Sequence, residues 1–185
     1  MGVTTDVRRA DRDLTRRVAG WRTPLTRRVL PVARSAAEHT KLWWGAAVLM
    51  SACGGNRGRL AAAAGLAGMA TAEVLSNAVC KPLYERRRPP EELIPHDDVE
   101  ERPDSSSFPS GHTAAAVGFT VACAGTWPAA GAVCGVLAAV VAVERVHSGA
   151  HYPSDVAAGT AIGAAAAWLV RRSPRLLLRH LLKPG

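Results

Sequence analysis

Three short clusters in this chain gather side chains able to hold and transform an anion. The last of them is Arg145-Val-His-Ser-Gly-Ala-His151-Tyr-Pro-Ser-Asp155. Pro153 suits the first turn of a helix, and a helical turn there brings His151 and Asp155, four residues apart, side by side. A carboxylate on one imidazole nitrogen fixes the tautomer and leaves the other nitrogen as nucleophile or base. The middle cluster, Pro109-Ser110-Gly111-His112, reads as a helix start with Ser110 as N-cap. The free Gly111 and His112 amides and the positive end of the helix dipole then make an anion site. The first cluster, Lys81-Pro-Leu-Tyr-Glu-Arg-Arg-Arg88-Pro89, adds fixed cations. Arg88 offers a two-pronged fork to phosphate oxygens and Lys81 a point charge. Taken alone, each cluster also has a plain reading: a loop histidine, a serine cap with a surface histidine, and a solvated charge run. Arg86, Arg87 and Arg88 could equally anchor lipid headgroups.

The elements that must position these clusters follow from composition. A length of 185 residues is one domain's worth. The apolar fraction is 48%, which excludes a disordered chain. The net charge of +8 sits mostly near the two ends. Cys53, Cys80, Cys123 and Cys134 show no CxxC spacing and lie in or beside apolar runs, so they read as packing residues and not as bridges. No metal motif is present, and the Arg-rich first forty residues hold no apolar core of a secretory signal.

Apolar runs cover 42–53, led by Trp43 and Trp44, then 60–80 apart from Glu73, then 113–143, broken at Trp127-Pro128, and finally 156–170. Each is short for a bilayer, which needs about 20 residues. They are rich in Ala and Gly, and Gly131/Gly135 and Gly159/Gly163 are spaced for close helix approach in lipid. The expected fold is all-α, a polytopic transmembrane bundle of about five to six helices. The modest mean hydropathy of +0.05 keeps a soluble Ala-rich bundle as the alternative. Residues 1–41 form a basic N-terminal segment in which Val7, Leu14, Val18 and Trp21 recur at helical spacing opposite arginines, the pattern of an interfacial amphipathic helix. Residues 23–39 are left open between a re-entrant or crossing segment and neither. The embedded domain is expected over 42–170, and 171–185 is a basic tail. Residues 81–109, with six prolines, read as a long loop.

Lys-x6-Arg-Pro, Pro-Ser-Gly-His and Arg-x5-His-x3-Asp, in this order, resemble the signature of the type-2 phosphatidic acid phosphatase superfamily. That superfamily also holds bacterial acid phosphatases and vanadium-dependent haloperoxidases. The motifs span residues 81–155, and the apolar layout extends the likeness to about 42–170. The resemblance implies that His151 attacks phosphorus to form a phosphohistidine and that Asp155 orients it. His112 would protonate the leaving oxygen and later activate water. Lys81, Arg88, Arg145, Ser110 and the Gly111 amide would hold the phosphoryl oxygens, with no cofactor and no metal. This matches the needs of phosphoryl transfer, which are positioning and charge stabilisation.

One position departs from the family pattern: Glu144 stands where a serine usually precedes the arginine, and it either pairs with Arg145 or Lys81 or faces another helix. Glu73 receives no catalytic role. The implied partners are the bilayer and a lipid phosphate, with no nucleic acid. The favoured substrates are a polyprenyl diphosphate or a polyprenyl-phosphosugar phosphate, with phosphatidylglycerol phosphate or phosphatidic acid as alternatives. A non-catalytic protein that binds anionic lipid is the reading of another class. If the basic stretch 171–183 is cytoplasmic, the three motifs share the outer face of the cell membrane.

Overall fold

The computed structural model describes residues 2–95 and 105–181, with side chains over 5–95 and 105–173. Among them all regular structure is helical. The helices are α1 (Gly2–Ala19), α2 (Pro24–Ala37), α3 (Lys41–Cys53), α4 (Gly55–Glu73), α5 (Gly111–Ala124), α6 (Pro128–His147) and α7 (Pro153–Leu181). Several starts are set by local chemistry. Thr23 caps α2 through a reciprocal bond with Thr26, and Pro24 takes its first position. Pro128 and Pro153 likewise open α6 and α7. The helix of residues 24–37 is a clear element where the sequence left alternatives open. The middle of the expected loop, 96–104, and the end of the expected tail, 182–185, lie outside the described residues. α7 runs on past residue 171, where the sequence suggested a tail.

α5 is the hub, packed against α4, α6 and α7. Small residues permit this. A Cβ on Gly159 of α7 would sit 2.5 Å from the Ser110 carbonyl oxygen, and one on Gly118 of α5 would sit 2.6 Å from the Gly68 carbonyl oxygen of α4. Of the two glycine pairs visible in the sequence, Gly159/Gly163 serves with both members. In the other, Gly131 abuts Ala124, while Gly135 has only Thr120 Cγ2 at 3.8 Å. The core between these helices is mostly alanine, with Trp43 against Phe119 at 5.3 Å between ring centroids.

The outside of the bundle is apolar. Val48, Leu49, Val133 and Val136 are each about two-thirds exposed, an arrangement that water would penalise and lipid would not. Two helical stretches, Gly55–Leu83 and Pro128–His147, are long and apolar enough to cross a membrane. α5, with 14 residues, reaches about 21 Å, short of the roughly 30 Å hydrocarbon layer, and its neighbours enclose it. α1 packs with Asp11, Thr15 and Ala19 inward, while Val7, Leu14 and Trp21 stay about half exposed. Its apolar stripe therefore faces away from the protein, as an interfacial helix requires.

The α4–α5 crossing gives a direct test. Gly68→Leu forces a side chain into the Gly118 backbone and is expected to cost about 1–3 kcal/mol, read as a lower Tm in detergent. Gly45→Leu, with no neighbour within 4 Å, is expected to leave Tm unchanged or slightly raised.

Candidate active site

α4 does not end as an α-helix. It continues through a π-helical stretch, Val74–Cys80, and a last turn, Lys81–Leu83, before Tyr84 turns extended. π-Helical turns are rare and concentrate at functional sites. This one delivers Asn77 and Lys81 to a cavity of 290 Å³ at one end of the bundle. Arg88 enters from the extended segment that follows, Gly111 and His112 from the start of α5, Arg145 from the last turn of α6, and His151 from the turn before α7. Six of the eight residues singled out in the sequence thus line one cavity. Glu73, Asn77, Ser148 and the His39–Thr40 turn complete much of its wall. No sequence signal marks Asn77, which sits inside an apolar run four residues before Lys81, or His39, whose cavity neighbours lie far along the chain.

The other two expected residues stand behind the wall. Ser110 is fully buried, and its Oγ accepts from the Thr113 amide and bonds the Thr113 hydroxyl. It is the N-cap that its position suggested, and its hydroxyl is occupied by the helix and does not reach the cavity. Asp155 is also fully buried. Its Oδ2 lies 3.9 Å from His151 Nδ1, beyond hydrogen-bond reach. The close partner of Nδ1 is instead the Ser107 carbonyl, at 2.6 Å. A carbonyl only accepts, so Nδ1 carries the proton and Nε2 is the lone-pair nitrogen.

Asp155 has other partners. Its Oδ2 accepts from the Tyr152 amide at 2.8 Å, and its Oδ1 accepts from Arg86 Nη1 at 2.6 Å. Arg86 is the residue that the sequence offered only as a headgroup anchor. It stacks on the Tyr152 ring, donates to the Ser154 hydroxyl, and donates through Nη2 to Asp11 of α1. Asp11 also accepts from the Ser154 amide and hydroxyl. A part-buried network of Asp11, Arg86, Ser154 and Asp155 therefore ties the N-terminal helix to the first turn of α7.

Serines 105 to 107 fasten the first motif to the second. Ser106 Oγ donates to the Tyr84 carbonyl and accepts from the Arg86 amide, and the Ser107 amide donates to the Arg86 carbonyl. Arg88 Nη1 donates to the Ala150 carbonyl at 2.7 Å, beside His151. Glu144 is buried and does face a cation. Its Oε2 accepts from Arg145 Nε, and its Oε1 accepts from Arg34 Nε of α2 at 3.4 Å. The family-atypical carboxylate thus bridges two arginines and, among the described residues, makes no bond to Lys81.

The sequence model described as the PAP2 superfamily matches residues 61–178, well over half of the chain and the whole cavity-lining stretch from Glu73 to His151. The chain belongs to the PAP2 superfamily. Its fold is similar to that of a transmembrane PAP2-type phosphatidylglycerolphosphate phosphatase from Bacillus subtilis, with a TM-score of 0.68 and 23% identity over 92% of this chain and 87% of that one. It is also similar to Aquifex aeolicus LpxE, with a TM-score of 0.66 and 21% identity over 86% of this chain and 93% of that one. No protein of curated function matches it in sequence. This PAP2 member is all-helical, as expected from its sequence.

Burial, and then the charge of Arg88 and Arg145, push the His151 ring below its ordinary pKa of 6.5; the Ser107 carbonyl opposes this. The neutral ring should therefore persist as pH falls through 6.5, where an exposed histidine gains its proton. Nitrogen NMR of labelled protein is expected to show His151 still neutral and protonated at Nδ1 at pH 6, and a cationic ring there would contradict the geometry.

Arg86 supplies a second test. Arg86→Ala leaves Asp155 buried without its cation and should cost about 3–5 kcal/mol. Arg86→Lys keeps the charge without the fork and should cost less. The expected order of Tm is wild type, then Arg86→Lys, then Arg86→Ala.

Proposed function

We propose that this PAP2 protein is a multi-pass membrane phosphatase that removes a phosphoryl group from a lipid headgroup through a phosphohistidine on His151. The observation that carries the reading is the company His151 keeps. A neutral imidazole, with Nδ1 tied to a carbonyl, lines the same cavity as His112 and three cations, Lys81, Arg88 and Arg145.

In the first step Nε2 of His151 attacks phosphorus as the bond to the ester oxygen breaks. Burial, and then the charges of Arg145, Lys81 and Arg88, hold the His112 ring down to a pKa of about 4. It therefore takes up its proton once the negative charge of the substrate lies against it. It then gives that proton to the ester oxygen, and the alcohol leaves. In the second step a water attacks the phosphohistidine, His112 takes the water's proton, and inorganic phosphate and the free ring are restored. Lys81, Arg88, Arg145 and the Gly111 amide hold the equatorial oxygens, whose charge must be stabilised in a loose transition state. Those cations supply the electrostatic role that metal ions play in other phosphatases, so no metal is required. Asp155, held by Arg86, sets the turn that presents His151.

A lipid substrate fits an apolar bundle with its polar cavity at one end. The headgroup would enter the cavity while the chains stay along the helices. A polyprenyl diphosphate or polyprenyl-phosphosugar phosphate is the favoured class, and phosphatidylglycerol phosphate or phosphatidic acid the alternative. The phosphatidylglycerolphosphate phosphatase among the similar folds supports the latter group. The basic stretch from residue 171, at the far end of α7 from the cavity, supports an outer-face site under the positive-inside tendency.

Phosphate release by detergent-purified protein from these lipids tests the reading. Release is expected to persist in EDTA, to be abolished by His151→Ala, and to fall by roughly 10²–10⁴ in kcat with His112→Ala. A His151→Ala protein that still turns over, or activity that EDTA removes, would overturn the mechanism.

A further inference from the structure

The three consecutive arginines of the first motif part company in the structure. Arg88 lines the catalytic cavity, and Arg86 is taken up by Asp11 and Asp155. Arg87 is exposed and lines a separate groove of 730 Å³. Arg8 and Arg12 line the same groove from α1, four residues apart and so on one face of the helix. Among the described residues Glu85 is the groove's one carboxylate, and Arg8, Arg12 and Arg87 form no ion pair. Much of the remaining lining is aromatic. Tyr84 meets Phe108 edge-on at 5.1 Å between ring centroids, and Leu83, the residue before Tyr84, is 79% exposed.

This pairing of cations with apolar surface selects an occupant. A soluble acid would satisfy the arginines and leave the rings and Leu83 in water. An uncharged chain would cover the rings and leave three cations without a counter-charge. A phospholipid of net negative charge does both, its phosphodiester against the arginines and the upper part of its acyl chains over Tyr84, Phe108 and Leu83. The depth is also right. The groove shares its wall with the catalytic cavity, Arg87 and Tyr152 lining the one and Arg88 and His151 the other, so both lie at the polar end of the bundle, where headgroups sit.

Arg86, Tyr152 and Ser154 of the clamp also line this groove. With 19% of its side chain exposed, Arg86 is the wettest of the three charges in that clamp. A lipid seated there excludes that water, and charge pairs strengthen as the surrounding dielectric falls. Its headgroup also joins α1, through Arg8 and Arg12, to Arg87 of the segment that follows Lys81–Leu83.

We propose that the groove is a binding site for one anionic phospholipid of the bilayer, a lipid that is not the substrate and that fastens α1 over the Arg86 clamp. The site requires the bundle to lie in a membrane, as read above, and does not require the phosphatase chemistry.

The test titrates the full-length protein in neutral detergent with phosphatidylmethanol, whose only charge is its phosphodiester and which has no phosphomonoester to lose. Phosphatidylcholine is the comparison. Bound lipid is counted by native mass spectrometry, and stability is read as Tm. The wild type is expected to hold one phosphatidylmethanol at least about tenfold more tightly than phosphatidylcholine, and to gain Tm as it binds. Arg8→Ala/Arg12→Ala is expected to lose at least about tenfold in that affinity, and the gain in Tm with it. Arg9→Ala/Arg17→Ala removes two exposed charges of the same helix from outside the groove, and its affinity is expected to stay within about threefold of wild type. His151→Ala is expected to bind as wild type does. Equal losses in the two arginine variants would reduce the attraction to the general charge of α1 and overturn the site. So would a wild type without preference for the anionic lipid, or a loss of binding in His151→Ala, which would put the lipid in the catalytic cavity. Binding that follows the expected order in a protein that releases phosphate from no lipid would overturn the phosphatase reading and leave this site standing.

Discussion

The guanidinium of Arg86 is the tie on which the site depends. Asp155 is sealed from water at the foot of α7, and a carboxylate placed there without a cation would be driven to neutralise or to unfold its surroundings. Arg86 meets it with one nitrogen and reaches Asp11 with the other, while its plane rests on Tyr152. Three parts of the chain far apart in sequence, α1, the segment after α4 and the first turn of α7, are thereby held at one point. The turn that carries His151 lies directly over that point, and its own amide is bonded to the Arg145 carbonyl. The nucleophile candidate is fixed by its backbone neighbours, and these are fixed by a charge network around two buried carboxylates.

Around that point the bundle is assembled from residues that take up little room. α4, α5 and α7 approach one another through Gly68, Gly118, Gly159 and Gly163, with alanines filling the rest. In lipid the hydrophobic effect gives helices no reason to prefer each other over the solvent, so close backbone approach is what holds them. That closeness also brings the capped start of α5 against α7, where the Ser110 amide donates to the Asp155 carbonyl. The packing of the bundle and the shape of the site are consequences of the same small side chains.

Much of this was legible in the sequence because the chemistry is carried by local patterns. Motif spacing pointed to His112, His151, Lys81, Arg88 and Arg145, and these do meet at one cavity. Proline and serine marked the starts of α5, α6 and α7, and glycine spacing marked the α7 seam. What escaped had no local signature. A histidine and an aspartate four residues apart suggest a pair, but the backbone before α7 offers the ring a nearer acceptor, the Ser107 carbonyl. Arg86 was indistinguishable from its neighbour Arg87 until its partner at position 11 was known. The role of Glu144 depended on Arg34, 110 residues away in sequence. The π-helical end of α4 left no trace in the apolar run that contains it.

The position of Asp11 gives the N-terminal helix a standing that its composition conceals. Its arginines and its outward apolar stripe would suggest a dispensable leash on the membrane surface, yet its inward face ends in a salt bridge one residue removed from the Asp155 carboxylate. A protease that nicked the exposed turn between α1 and α2 would spare every apolar helix and still take away half of the clamp on Arg86. The result would be an intact bundle of helices in which Arg86 kept only its Asp155 side. By the same reasoning, a change at 11, 86 or 154 takes at least one bond from each of the other two.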